Sequence, residues 1–250
     1  MTDGAPVLEA TGLRKAFGGI RAVDGVGLSL SRGEIRALIG PNGAGKTTLF
    51  NLLTGHLTPD TGTVRFRGER LEGLAPHRVW RRGIARTFQI PAVFPNLSVV
   101  ENVQVACLSW RGRTLSLTGR ARAIERAAAE RLLERVGLLG QAGSRARVLA
   151  YGDLKKLEVG IALANEPEVL LLDEPTAGMA PAERRALMAL VSGIARERGL
   201  ALLFTEHDMD VVFAIAERIT VLHQGRIVAD GPPATVRADA EVQRVYLGEL

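Results

Sequence analysis

The sequence predicts an α/β fold with a mainly parallel sheet, and three observations carry that prediction. The stretch Gly40-Pro41-Asn42-Gly43-Ala44-Gly45-Lys46-Thr47-Thr48 matches the phosphate-binding pattern G-x-x-x-x-G-K-[ST] at every fixed position. It stands between a short apolar run at 35–39 and a helical run at 48–54. Residues 168–173 (Glu-Val-Leu-Leu-Leu-Asp) and 200–204 (Leu-Ala-Leu-Leu-Phe) are continuous apolar runs, the pattern of strands buried on both faces. Helical segments alternate with these strands, which is the order a parallel sheet requires.

Residues 7–17 and 26–36 alternate apolar and polar positions and are expected to be strands, with turns at Gly18-Gly19 and Asp24-Gly25. After the phosphate pattern, Pro59-Asp60-Thr61-Gly62 is a turn by composition and 63–67 a half-buried strand, so hairpin material flanks the pattern on both sides. Residues 75–82 read as a helix, and 83–89 as a strand feeding an irregular stretch with Pro91 and Pro95. Helices are expected over 98–108, 119–136 and 153–165, with Ile124, Ala128, Leu132 and Val136 on one face of the second. Between the first two, 110–118 reads as an inserted loop. Further helices are expected at 181–198 and 208–217, then a hairpin of 219–223 and 226–230 turning at Gln224-Gly225.

The β- and γ-phosphates of a nucleotide need many donors converging at short range. Gly43 and Gly45 let the backbone curl so that successive N–H groups point inward, and the helix that follows adds the positive end of its dipole. Lys46 brings a mobile charge to the terminal phosphates, and the Thr47 hydroxyl is placed to ligate Mg²⁺. A mere glycine turn capping a helix leaves the Lys-Thr-Thr unexplained. A strand such as 168–173 delivers its terminal acids to the crevice beside that loop. Asp173 there is a candidate to hold Mg²⁺, directly or through water, and Glu174 to orient or deprotonate an attacking water. The plain alternative is two acids capping the loop into the next helix. His207, just past another buried strand, is placed to reach the γ-phosphate and that water. His56, His77 and His223 are read as structural or solvent-facing.

Composition narrows the rest. At 250 residues the chain is long enough for a substantial core. Its single cysteine, Cys107, excludes an internal disulfide and any cysteine-based metal cage. The N-terminal residues lack a secretory pattern, and no stretch approaches the roughly eighteen apolar residues of a membrane span. A net charge of +5 invites a nucleic-acid reading, but the arginines are scattered and aromatic residues are only 4%, so stacking partners for bases are scarce. No nucleic-acid partner is expected.

With these motifs in order, the chain resembles the ATP-binding-cassette (ABC) transporter ATPases over about residues 7–235. The resemblance implies a P-loop NTPase core (about 7–90 and 166–235) with an antiparallel β subdomain, an inserted α-helical subdomain (about 91–165) and a tail at 236–250. It also implies roles for residues that spacing alone leaves silent. Gln89 stands where the family has its lid glutamine, a Mg²⁺ ligand that senses the membrane partner. Leu149-Ala150-Tyr151-Gly152-Asp153 stands at the family's Leu-Ser-Gly-Gly-Gln signature, 177–180 is the loop after the catalytic glutamate Glu174, His207 is the switch histidine, and Phe17 is the aromatic that stacks on adenine. More narrowly, residues 83–89, 94–102, 149–153, 177–181 and 245–248 resemble the ATP-binding subunit of branched-chain (hydrophobic) amino-acid importers.

The implied function is ATP hydrolysis coupled to solute uptake, with ATP and Mg²⁺ bound. The implied partners are transmembrane permease subunits, a second ATP-binding subunit and, indirectly, a solute-binding protein, placing the chain in the cytoplasm on the inner face of the membrane. Two departures from the family pattern favour a heterodimer over a homodimer: Ala150 replaces the signature serine, and Ala180 replaces the usual aspartate. Asp153 replaces a neutral amide and is expected to point away from phosphate. Importers of urea or short amides remain open on sequence grounds. So, more distantly, do a cassette ATPase acting on DNA or ribosomes, which would want a coiled-coil insertion or tandem cassettes, and a P-loop kinase, which would want an acceptor pocket.

Overall fold

A computed structural model describes residues 5–87, 92–112 and 125–247. A six-stranded sheet runs in the order β10-β9-β3-β8-β7-β6. Its strands are β3 (Ile35–Ile39), β6 (Ile84–Arg86), β7 (Val169–Asp173), β8 (Ala201–Thr205), β9 (Arg218–His223) and β10 (Arg226–Gly231). All pairs are parallel except the terminal β9–β10 hairpin. A second, antiparallel sheet has the order β2-β1-β4-β5, from β1 (Leu8–Phe17), β2 (Ile20–Leu30), β4 (Thr61–Phe66) and β5 (Glu69–Arg70).

Every residue of β3, β7 and β8 is buried, as continuous apolar strands covered on both faces must be. The two-residue period of a strand divides them cleanly. Ile35, Ala37, Ile39, Leu170, Leu172, Leu202 and Phe204 join a core shared with the helices α3 (Val99–Trp110), α4 (Arg126–Arg135), α5 (Tyr151–Ala162), α6 (Pro181–Arg198) and α7 (Met209–Ile215). Leu38, Val169, Leu171, Ala201 and Leu203 face the opposite core, formed with α1 (Lys46–Leu53) and the antiparallel sheet. The short α2 (Pro76–Arg81) precedes β6, and α8 (Pro233–Ala238) and α9 (Ala240–Val242) follow β10. Among the described residues no helix is long and apolar enough to cross a membrane.

Three local expectations need correction. Asp24-Gly25 is not a chain reversal. Val26 pairs with Leu13 and Asp24 with Arg14, leaving Gly25 (φ +75°) as the extra residue of a bulge inside β2. Residues 26–36 are not one strand, because a turn closed by Glu34 N–H donating to Ser31 O separates β2 from β3. On α4 the fully buried positions are Ala129 and Leu133, one residue on from the expected Ala128 and Leu132, which are only partly buried. α4 begins at Arg126, and residues 119–124 of the expected helix, Ile124 included, lie outside the described residues, as do Phe88 to Pro91 and 113–118 of the expected inserted loop.

Candidate active site

Parallel strands place their C-terminal ends on one edge of the sheet, and the loops after β3, β7 and β8 meet there. The loop from Gly40 to Gly45 leaves β3 and enters α1, whose N-cap Gly45 offers no side chain to the first-turn amides. A Cβ on Gly45 would lie 2.2 Å from the carbonyl oxygen of Ala22 in β2, so the loop is pressed against that strand. Gly43 has open space around it and, with Asn42 and Thr47, is exposed. A glycine cradle with unpartnered helix amides, open on its outer side, fits a polyphosphate. Lys46 Nζ donates to the carbonyl oxygens of Gly40 (2.5 Å) and Pro41 (3.0 Å). Burial pushes its pKa down, and the nearby carboxylates of Glu174 and Asp173 pull it back up.

Asp173 ends β7 directly beside Thr205, which ends β8. Thr205 Oγ1 donates to Asp173 Oδ1 (3.0 Å) and accepts from the Glu174 N–H (2.9 Å), so one buried hydroxyl sets both acids. Asp173 Oδ2 accepts from Arg86 Nη2 at 2.9 Å. Glu174 has φ +47°, a left-handed conformation costly for a side chain and common where a reacting group must be aimed. Its Oε1 lies 3.0 Å from His207 Nε2. The hydroxyl of Thr47 and the carboxylate of Asp173 are hard oxygen donors of the type Mg²⁺ takes beside phosphate oxygens. Among the described residues no group of three His, Cys, Asp or Glu is placed to hold a metal ion.

The loop after Glu174 is fastened to the His207 segment. Glu206 Oε1 accepts from Thr176 N (3.0 Å) and Oγ1 (2.7 Å), and Arg184 bridges Met179 O and Asp208 Oδ2. Burial raises the Glu206 pKa, so the folded state binds that proton more tightly than the unfolded chain. Its contribution to stability therefore declines as pH rises above the ordinary carboxylate range. Glu206→Ala, which orphans two buried donors, is expected to lower stability by about 1–3 kcal/mol. Glu206→Gln keeps an acceptor and should flatten the pH dependence. Thermal unfolding across pH checks both.

The segment 149–153 lies against this same loop. Gly152 faces Met179, and the Tyr151 ring covers Gly178. Ala150 is the N-cap of α5, without a side-chain acceptor. Asp153 is held by Lys156 Nζ (2.9 Å) and Gln141 Nε2 (2.8 Å), bonds that keep its pKa low and turn it along the helix. Ala180 caps α6, where the Glu183 carboxylate accepts from its N–H. Phe17 ends β1, 47% exposed as a residue, with the Lys15 ammonium 5.8 Å from its ring centroid. Gln89 lies outside the described residues. Sequence reasoning gave no individual role to Arg86, Thr205 or Glu206, although Thr205 and Glu206 stand beside His207 in the stretch it singled out. A polar side chain closing an apolar strand run was the available signal for Arg86 and Thr205.

The chain is similar in sequence and fold to known proteins. The profile of the family described as ABC transporter matches residues 23–177, and that of the branched-chain amino acid ATP-binding cassette transporter family matches 226–249. The chain is 42% identical over 253 residues to the high-affinity branched-chain amino acid transport ATP-binding protein LivG of Escherichia coli, covering 98% of each. To the corresponding BraF protein of Pseudomonas aeruginosa it is 41% identical over 251 residues, again covering 98% of each. The solved ADP conformation of MJ1267, an ATP-binding cassette of an ABC transporter, superposes with a TM-score of 0.85 at 30% identity, over 98% of this chain and 100% of that one.

Proposed function

This chain belongs to the ABC transporter family as an ATP-hydrolysing subunit, and from that premise we propose that it energises uptake of branched-chain and other hydrophobic amino acids through a transmembrane permease. The observation that carries the catalytic half is the 3.0 Å contact of Glu174 with His207 at the sheet edge beside the phosphate loop. The substrate class is supported by the LivG and BraF relatives and by the match over 226–249.

In this reading Phe17 stacks on adenine, while Lys46 and the amides of Gly43 to Thr48 hold the β- and γ-phosphates. Thr47 and Asp173 would hold Mg²⁺, with Gln89 a further ligand. When bound, the ion would supply charge neutralisation on the phosphates. Glu174 orients the attacking water and takes its proton, and His207, hydrogen-bonded to Glu174, keeps that carboxylate aimed. Phosphoryl transfer of this loose kind asks for positioning and charge stabilisation more than covalent help. The signature segment 149–153 serves a second ATP-binding subunit, whose own signature closes the site described here. Phosphate release to water without an acceptor tests hydrolysis and separates it from kinase chemistry. Uptake of labelled leucine by the reconstituted importer, set beside uptake of labelled urea, tests the substrate class; uptake of urea without uptake of leucine would overturn it.

For the permease, this chain offers a candidate docking surface, and docking there would hold the subunit on the inner face of the membrane. An apolar cavity of about 380 Å³ opens between α2, β6, α3 and α5, walled by Val79, Trp80, Phe94, Val105 and Ile161. Phe94 is 54% exposed at its mouth, apolar area that a partner would cover. Phe94→Asp is expected to leave ATP binding within about twofold while weakening permease assembly roughly 100-fold, because burial of the ring is lost and a carboxylate must be desolvated. Co-purification with the permease, alongside nucleotide binding, checks it. Loss of both together would count against docking here.

A further inference from the structure

Asp173 is held on both oxygens by the protein itself, by Thr205 on one and by Arg86 on the other. The Arg86 side chain is as buried as its partner, 6% against 7% exposed. It is anchored on α1, where Nη1 donates to Asn51 Oδ1 (2.7 Å) and Thr54 Oγ1 (3.3 Å), and the guanidinium lies 5.5 Å from the Phe50 ring centroid. A planar fork spreads its donors over separate nitrogens, so Nη2 faces Asp173 while Nη1 faces Asn51 and Thr54. Arg86 also borders the apolar cavity beside Phe94, so one side chain stands between that surface and the acid.

A buried carboxylate is strongly destabilising unless a cation compensates it. Here the cation is resident, and it occupies the oxygen of Asp173 that Thr205 leaves open. We propose that Arg86 is a positioning residue acting as an exchangeable counter-ion of Asp173: it holds the carboxylate at the sheet edge and competes with Mg²⁺ for Oδ2. The inference rests on the reading of Asp173 as a Mg²⁺-holding group. Thr205 remains to orient Asp173 when Arg86 is changed, so relief of competition should outweigh loss of aim.

The test uses full-length Arg86→Gln with a fluorescent ATP analogue, bound first in excess EDTA and then across a Mg²⁺ titration, and thermal unfolding with and without MgATP. Affinity in EDTA should stay within about twofold of the parent, because Lys46 and the loop amides are untouched. Half-saturating Mg²⁺ should fall at least about fivefold, as expected for removing a nearby like charge, and the rise in Tm on adding MgATP should exceed the parent's. Half-saturating Mg²⁺ that is unchanged or raised overturns the proposal, as does an equal loss of binding with and without Mg²⁺. If Arg86→Gln does not fold, Arg86→Lys serves. It keeps the charge without the fork and should lower half-saturating Mg²⁺ by about two- to threefold; no change overturns the proposal. Asp173→Asn separates the two readings. If it leaves the Mg²⁺ dependence intact, the assignment of Asp173 fails; if it abolishes that dependence while Arg86→Gln has no effect, only the role of Arg86 fails.

Discussion

Glu174→Gln is expected to lower the turnover of ATP about 10³-fold while leaving nucleotide affinity nearly unchanged, the size of effect seen when a positioned general base is removed. Several features of the fold are spent on aiming this one carboxylate. Its backbone is held left-handed at φ +47°, an arrangement costing about 1–3 kcal/mol that the surroundings must maintain. The buried Thr205 hydroxyl fixes its N–H, and His207 Nε2 meets its Oε1 at 3.0 Å. Glutamine keeps the shape and an oxygen for His207 but cannot take a proton. Steady-state phosphate release and analogue binding measure the two halves separately. Retained turnover would mean that another group activates the water.

The same variant decides the stoichiometry of assembly. A subunit that binds ATP without hydrolysing it should accumulate in the closed, nucleotide-bridged state. Ala150 offers no hydroxyl at the N-cap of α5, and Ala180 no carboxylate at that of α6. Both absences weaken what two copies of this chain could offer each other, so the expected result is a monomer with MgATP alone and closure only with the second subunit. A tight, symmetric homodimer of Glu174→Gln on size-exclusion chromatography would show that heterodimerisation is not required.

How much of this was legible in the sequence depends on the range of the chemistry. The phosphate loop is local, since glycines, lysine and threonine at fixed spacing carry their function within nine residues. The buried strands β3, β7 and β8 were likewise readable, because burial on both faces leaves a continuous apolar run. Arg86 was not, because its role exists only once β6 lies beside β7, bringing together two residues 87 apart in the chain. Thr205 is similar: a threonine after five apolar residues reads as the end of a strand, and only parallel register with Asp173 makes it the hinge of two acids. At Asp24-Gly25 the local chemistry is the same for a turn and for a glycine bulge, and the partner strand decides. The expected face of α4 holds at Val136 but gives way to Ala129 and Leu133 in place of Ala128 and Leu132, adjacent apolar residues that periodicity cannot separate.

Gly45→Ala should be a severely damaging change in the phosphate loop, and Gly43→Ala is its internal control. Both positions have positive φ, +106° and +79°. At Gly43 an added Cβ meets nothing within 4 Å, so the cost is backbone strain alone, about 1–2 kcal/mol. At Gly45 the same methyl would sit 2.2 Å from the Ala22 carbonyl oxygen, backbone that cannot swing aside as a side chain would. Ala22 is itself braced, since Gly225 packs so closely that its own Cβ would lie 3.0 Å from the same oxygen. The loop must move instead, for a combined cost of about 2–6 kcal/mol from strain and overpacking. Moving it carries Lys46 and the first amides of α1 off the phosphates, and ATP affinity should fall more than about 100-fold, or some 3 kcal/mol. Gly43→Ala should lose less than about tenfold on the same scale. Thermal unfolding and analogue binding on the two variants provide the measurement. Equal effects at the two positions would mean that the loop tolerates separation from β2, and that its contact with Ala22 does not set the phosphate site.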